Sequence, residues 1–253
     1  MFDNFFKAEI SGEVISSLIV VGIMMLLAII VGIQARFHDP LKKPKGLLLL
    51  TEIGVDFFDG LTRNLAGNRL PNLGAFTFGV SIYLFIAFIF GLTGLPSPVT
   101  YMAVPLSLGF TTFFMIHITS IRFTKAKYFK RYVEPFPVFL PVNLISMWAP
   151  VLSLSLRLFG NAIAGWVLMT IVYQVLENLS SMLFSFMTLT FADGSLVSGS
   201  FIAPFVTPVL HAYFDLFSGF IQTTVFISLS IIFIGQEVPE DEENTELSRK
   251  GGK

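Results

Sequence analysis

SLSLRLFGNAIAG, residues 153–165, sets one arginine, Arg157, among apolar and small residues. Arg157 is the only Lys or Arg between Tyr132 and Ser248. A guanidinium keeps its charge at any pH the protein meets, so it cannot escape an apolar setting by losing a proton. Holding a charge at the centre of a bilayer costs from about 2.5–3.5 up to roughly 10–17 kcal/mol, depending on the method of measurement. A residue carried at that cost is a functional candidate, and it has to face protein or a wet cavity.

The rest of the chain supports a lipid setting. Of its 253 residues, 54% are hydrophobic and 13% charged, against about 25% charged in ordinary soluble domains. Mean hydropathy is +0.76. These values place the chain with integral membrane proteins. The absence of cysteine excludes a disulfide framework, a thiolate-held metal and a thiol nucleophile. The three histidines, His38, His117 and His211, are far apart and lack metal-ligand spacing, so no metal and no cofactor are expected. The net charge of -1 names no partner; the placement of the charges is more informative.

Residues 14–33 are apolar over about 20 positions, enough to cross a bilayer. Arg36, Lys42, Lys43 and Lys45 follow in a short loop, which by the positive-inside rule belongs in the cytoplasm and leaves the N-terminus outside. The preceding segment has neither the basic start nor the cleavage site of a signal peptide. Residues 73–95 and 101–121 form the next two spans, joined by GLPSPVT, an uncharged turn suited to the outer face. Arg122, Lys125, Lys127, Lys130 and Arg131 make a second positive loop on the same side as the first. Membrane orientation suffices to explain this run, so no nucleic acid is expected as a partner.

Three segments depart from the simple span. In residues 47–65, Glu52, Asp56, Asp59 and Arg63 share one helical stripe, with Leu48, Ile53, Phe57, Phe58 and Leu61 opposite. That pattern suits an interfacial helix on the membrane surface or a helix docked on the protein. Residues 136–176 and 201–234 are apolar but overlong for a perpendicular crossing of ~20 residues. The first is either two crossings or one inclined helix. Between them, ADGS signals a turn. The expected fold is an all-α membrane protein with about five transmembrane helices plus an interfacial amphipathic helix, the last two long and strongly tilted. Residues 1–236 form one transmembrane domain and 237–253, acidic and then basic, a disordered cytoplasmic tail.

Both overlong segments carry a polar stripe at helical spacing. Ser153, Arg157, Asn161 and Ala164 share one face of the first, flanked by Gly160 and Gly165, which would let a neighbour come close. His211, Asp215, Ser218 and Gln222 share one face of the second. Facing one another, these stripes would line a polar path at membrane depth. Two plainer readings compete. Intramembrane polar residues often only hold helices together. Asp215 could also pair with Arg157 as a buried ion pair, an arrangement whose desolvation cost can exceed its Coulomb gain. A self-contained transporter with an Arg–Asp site would show internal repeats, and none is evident. A structural scaffold leaves Arg157 unexplained.

The stretch LSLSLRLFGNAIAGW, with HAYFDLFSGFIQTTVF in the last segment, PVNLI before it and KPKG after the first span, resembles subunit a of the bacterial F-type ATP synthase. The resemblance runs in order along essentially the whole chain. It implies a non-catalytic stator subunit in the cell membrane, beside a rotating c-ring of small hairpin subunits with mid-membrane carboxylates and the b subunits of a peripheral stalk. It further implies that Arg157 is the essential arginine and that Asn161, Ser153 and Gln222 are the polar positions around it. Asp215 then falls where members carry His or a carboxylate for the outer half-channel. Trp166 stands where many members have Glu, Ser146 and Met147 where many have an acid, and Tyr101, Ala103 and Pro105 where polar residues are common. Asp215, Asn161, His211 and Glu177 are therefore expected to carry the outer path.

Overall fold

The computed structural model describes residues 12–39, 42–68, 70, 72–125, 128, 136, 138, 140–183, 189–190, 196–197 and 202–238. The N-terminal stretch, the basic residues Lys127, Lys130 and Arg131, the ADGS turn and the charged tail beyond Val238 lie outside the described residues. Helix α1 is Gly12–Phe37, α2 Leu47–Ala66, α3 Leu73–Ile89, α4 Ala103–Thr124 and α5 Leu140–Leu183. The last, α6, is Ala203–Gly235, in three parts described below. Five of these, all but α2, are long and apolar enough to cross a membrane. A two-stranded antiparallel hairpin, Leu189–Thr190 with Leu196–Val197, separates α5 from α6.

Helix α5 resolves the choice left open by the sequence. The apolar stretch is one helix of 44 residues that continues past Pro150. At 1.5 Å per residue it is about 66 Å long, more than twice the ~30 Å of a hydrocarbon core. Helix α2 docks on the protein: Phe58, Leu61 and Ala66 pack against the core while Leu50, Ile53 and Phe57 stay exposed. It stops at Gly67, whose φ of 73° is open to glycine and strained for other residues.

The core lies where α1, α3, α5 and α6 meet. Val20, Leu84, Phe88, Leu154, Leu158, Phe226, Ile227 and Ile231 form it, each at most 5% exposed. Small residues bring the helix backbones together, the usual device where hydrophobic burial does not drive association. At Gly109 a side chain would collide with Ser155 of α5. The Ser155 hydroxyl donates instead to the Pro105 carbonyl of α4, at 3.1 Å. At Gly219 a Cβ would come within 2.7 Å of the Phe88 Cβ, which fixes α6 against α3. Beyond α6 the chain turns back, so that Val238 is buried and its N–H donates to the Gly235 carbonyl. Its first two residues, Glu237 and Val238, thus continue the fold at the boundary expected for the tail.

Candidate functional site

Arg157 lies near the middle of α5 and is exposed. Among the described residues it has no carboxylate within ion-pair distance. The groups around it on the same helical face are Ser153, Gly160 and Ala164, spaced at four, three and seven residues from the arginine. Ser153 and Ala164 are exposed, and a Cβ at Gly160 would meet nothing within 4 Å. The result is a shallow lane of small residues with one cation in it. Leu156 and Trp166 on α5 and Phe217, Phe220 and Ile221 on α6 are also exposed.

Asp215 does not pair with Arg157. Its Oδ2 lies 2.6 Å from Nδ1 of His211, one turn earlier on α6. The other ring nitrogen, Nε2, is 2.9 Å from the hydroxyl of Tyr173 on α5. An ionised carboxylate can only accept. In the neutral ring Nδ1–H therefore donates to Asp215, and Nε2 accepts from the Tyr173 hydroxyl. When the ring is protonated both nitrogens donate. The three groups thus form one continuous hydrogen-bonded chain from α5 to α6.

That chain borders a cleft of about 500 Å³ whose lining includes Gly91, Asn161, Trp166, Tyr173, His211 and Asp215. Asn161, one turn from Arg157, closes the side toward the arginine. Its Nδ2 donates to the Ser218 hydroxyl at 3.0 Å, which in turn donates to Asn161 Oδ1 at 3.1 Å. This reciprocal pair ties α5 to α6 at the level where the two polar stripes were expected to meet.

The stripe expected on α6 is broken. Residues Ala203–His211 are α-helical, Ala212–Ser218 form a π-helix, and Gly219–Gly235 are α-helical again. A π segment inserts an extra residue into the turn, and such segments recur at functional sites. Everything beyond it is rotated relative to a continuous α-helix. His211 and Asp215 face the cleft, while Gln222 turns into the helix packing, where it is 8% exposed and its Nε2 has no hydrogen-bond partner. Gln222 and Arg157 therefore do not share one surface.

A second cleft, of about 280 Å³, lies at the other end of α5. Its walls include His117 of α4, Asn143, Ser146 and Pro150 of α5, and Glu237 after α6. Pro150 has no N–H to offer the Ser146 carbonyl, so that acceptor is released from the helical ladder within the cleft wall. Arg157 lines neither cleft and stands between them along α5.

The structure thus brings Asp215, His211 and Asn161 together, sets Arg157 and Ser153 on an open face beside them, and buries Gln222. Glu177, one turn beyond Tyr173, is exposed and does not line the cleft. Sequence reasoning missed Tyr173. Tyr173 stands twelve residues beyond Asn161, about 120° around a regular helix, so helical spacing gave no signal for it. It also missed the grouping of His117, Asn143 and Glu237, which comes from three separate elements.

A family model described as ATP synthase A chain matches residues 14–235. ATP synthase subunit a of Mycoplasmoides gallisepticum is 29% identical over 246 residues, covering 90% of this chain and 80% of the relative. The same subunit of Enterococcus hirae is 30% identical, covering 79% and 82%, and that of Streptococcus agalactiae is 31% identical, covering 79% and 81%. With the matched region running from the first span to the end of the last, this chain belongs to the ATP synthase A chain family.

Proposed function

We propose that this chain is the proton-conducting stator subunit of the membrane sector of an ATP synthase, and that it couples proton flow to rotation of a neighbouring c-ring. The observation that carries the reading is the position of Arg157, outward-facing in a lane of small residues at mid-helix and, among the described residues, without a carboxylate within ion-pair distance. Such a site suits a carboxylate brought by another chain. A c-ring helix fits the lane at Gly160 and Ala164, and its acid meets the guanidinium.

The chemistry follows from charge. A carboxylate within ~4–6 Å of a fixed cation is held ionised. It gives up its proton on reaching Arg157 and takes one on again before turning into lipid, where a bare charge is costly. The fixed cation also repels a proton hopping directly between the clefts. The larger cleft supplies the entry path: a proton taken up at His211 Nε2 allows the Nδ1 proton to pass to Asp215, with Tyr173 steadying the ring. Asn161 and Ser218 sit between this path and the arginine, with Ser153 on the ring side and Gln222 in the supporting packing. The smaller cleft, with Asn143, Ser146 and Glu237, serves as the exit.

Orientation follows the charges. Lys42, Lys43, Lys45, Arg122 and Lys125 flank the ends of α1 and α4, which places those ends in the cytoplasm of a bacterial cell and the N-terminus outside. With its length, α5 fits the membrane only when strongly inclined. The b subunits of the peripheral stalk are the further partners this reading implies. Isolation in mild detergent tests it: a small, acid-bearing hairpin protein co-purifies in many copies, and ATP drives acidification of inverted vesicles. A chain that purifies alone and binds a solute would instead be a transporter.

A further inference from the structure

A third cleft, of about 630 Å³, lies where α1 gives way to α2, shares no lining residue with the two clefts above, and is lined by residues that include Gln34, Phe37, His38, Lys42, Lys43 and Lys45. The loop that carries the lysines is folded back on the end of α1. His38 Nε2 lies 2.8 Å from the Lys42 carbonyl, and the Lys42 N–H donates to the Asp39 carbonyl at 3.0 Å. Asp39 also pairs with the Lys42 ammonium at 3.6 Å. Three lysines against one carboxylate leave the cleft with a net positive charge. Directly below it on α1, Ile29, Ile33 and Phe37 repeat at four-residue spacing and are 58%, 54% and 82% exposed.

We propose that this cleft binds the headgroup of an anionic phospholipid. Lys43 and Lys45 take the phosphodiester, and one acyl chain lies along Phe37, Ile33 and Ile29. A lysine cluster immediately beside a membrane helix is the expected footprint of an acidic lipid surface. The continuous apolar stripe beneath distinguishes a lipid from a free anion, which would have no use for it. The occupant is a lipid of the leaflet in which α1 ends, held at the hinge between a spanning helix and the docked α2.

The test uses the assembled ATP synthase complex containing this chain, reconstituted in phosphatidylcholine vesicles with a small fraction of a photoactivatable phosphatidylglycerol carrying its reactive group in the acyl chain. Labelling mapped to residues 29–45 is expected with this probe and not with the matching phosphatidylcholine probe at equal fraction. Lys43→Gln with Lys45→Gln lowers the labelling by roughly fivefold per lysine, while Lys43→Arg with Lys45→Arg retains it. Inorganic phosphate at constant ionic strength leaves it unchanged. Equal labelling by the two wild-type probes overturns the proposal whatever the variants do. So does labelling indifferent to the glutamine pair, or labelling removed by phosphate, which would assign the cleft to a free anion.

Discussion

Asp215 and His211 share a hydrogen bond of 2.6 Å within α6, and Asp215 makes no ion pair with Arg157. A carboxylate satisfied by its own helix is not the counter-ion of Arg157. In the proposed function the arginine then serves a visiting charge and the aspartate takes part in proton transfer. Tyr173, His211 and Asp215 form one hydrogen-bonded row, with each partner on a separate nitrogen of the imidazole.

Asp215→Asn keeps the shape and most of the hydrogen bonding but cannot hold a transferable proton. Proton conduction through the membrane sector should fall by roughly 10²-fold, the usual loss when a proton-transfer group is removed, with the amount of chain in the membrane unchanged. Flux measured under an imposed gradient checks this. An unaltered rate would take Asp215 out of the path.

Tyr173→Phe removes one hydroxyl and nothing else. A single hydrogen bond is worth about 0.5–1.5 kcal/mol net, so conduction should fall by roughly 2- to 10-fold. The defect should be smaller than that of Asp215→Asn, and absent when Tyr173→Phe is added to Asp215→Asn. The comparison needs the two single variants and the double variant in one flux assay.

Two glycines separate folding from partnership. Gly219→Ala places a Cβ within 2.7 Å of the Phe88 Cβ, and overpacking of this kind costs about 1–3 kcal/mol. The expected result is a lower melting temperature in detergent. At Gly160 an added Cβ meets nothing within 4 Å, so Gly160→Leu points a larger side chain into open space. It should leave the melting temperature of this chain unchanged while blocking the lane beside Arg157, so that the c-ring no longer co-purifies or turns.

The smaller cleft can be probed with a single introduced thiol, because the chain contains no cysteine. Ser146→Cys should react with a membrane-impermeant cationic thiol reagent added from the cytoplasmic side, and proton conduction should stop as it reacts. Complete modification with full conduction would remove this cleft from the exit path.

Much of this was legible in the sequence because it rests on composition and period. Runs of apolar residues mark the five spans, basic loops mark the ends of α1 and α4, and a lone arginine marks the site. The unforeseen features arise from packing. No residue code announces a π segment, so spacing arguments that assume a regular helix put Gln222 on the same face as His211. The structure turns it inward. Tyr173 is read as an ordinary aromatic of a span until α6 lies beside it. His117, Asn143 and Glu237 meet only because α4, α5 and the end of α6 converge. The choice between two crossings and one helix in α5 was left open because composition alone does not show whether a helix continues past an internal proline, as this one does at Pro150.

In the proposed function Arg157 serves a carboxylate supplied by a moving neighbour. The direct measurement is ATP-driven proton uptake into inverted membrane vesicles bearing Arg157→Ala, with insertion of the chain and assembly of the complex verified alongside. If Arg157 has that role, uptake is abolished while the assembled complex remains in the membrane. Uptake at the wild-type rate in that variant would contradict it.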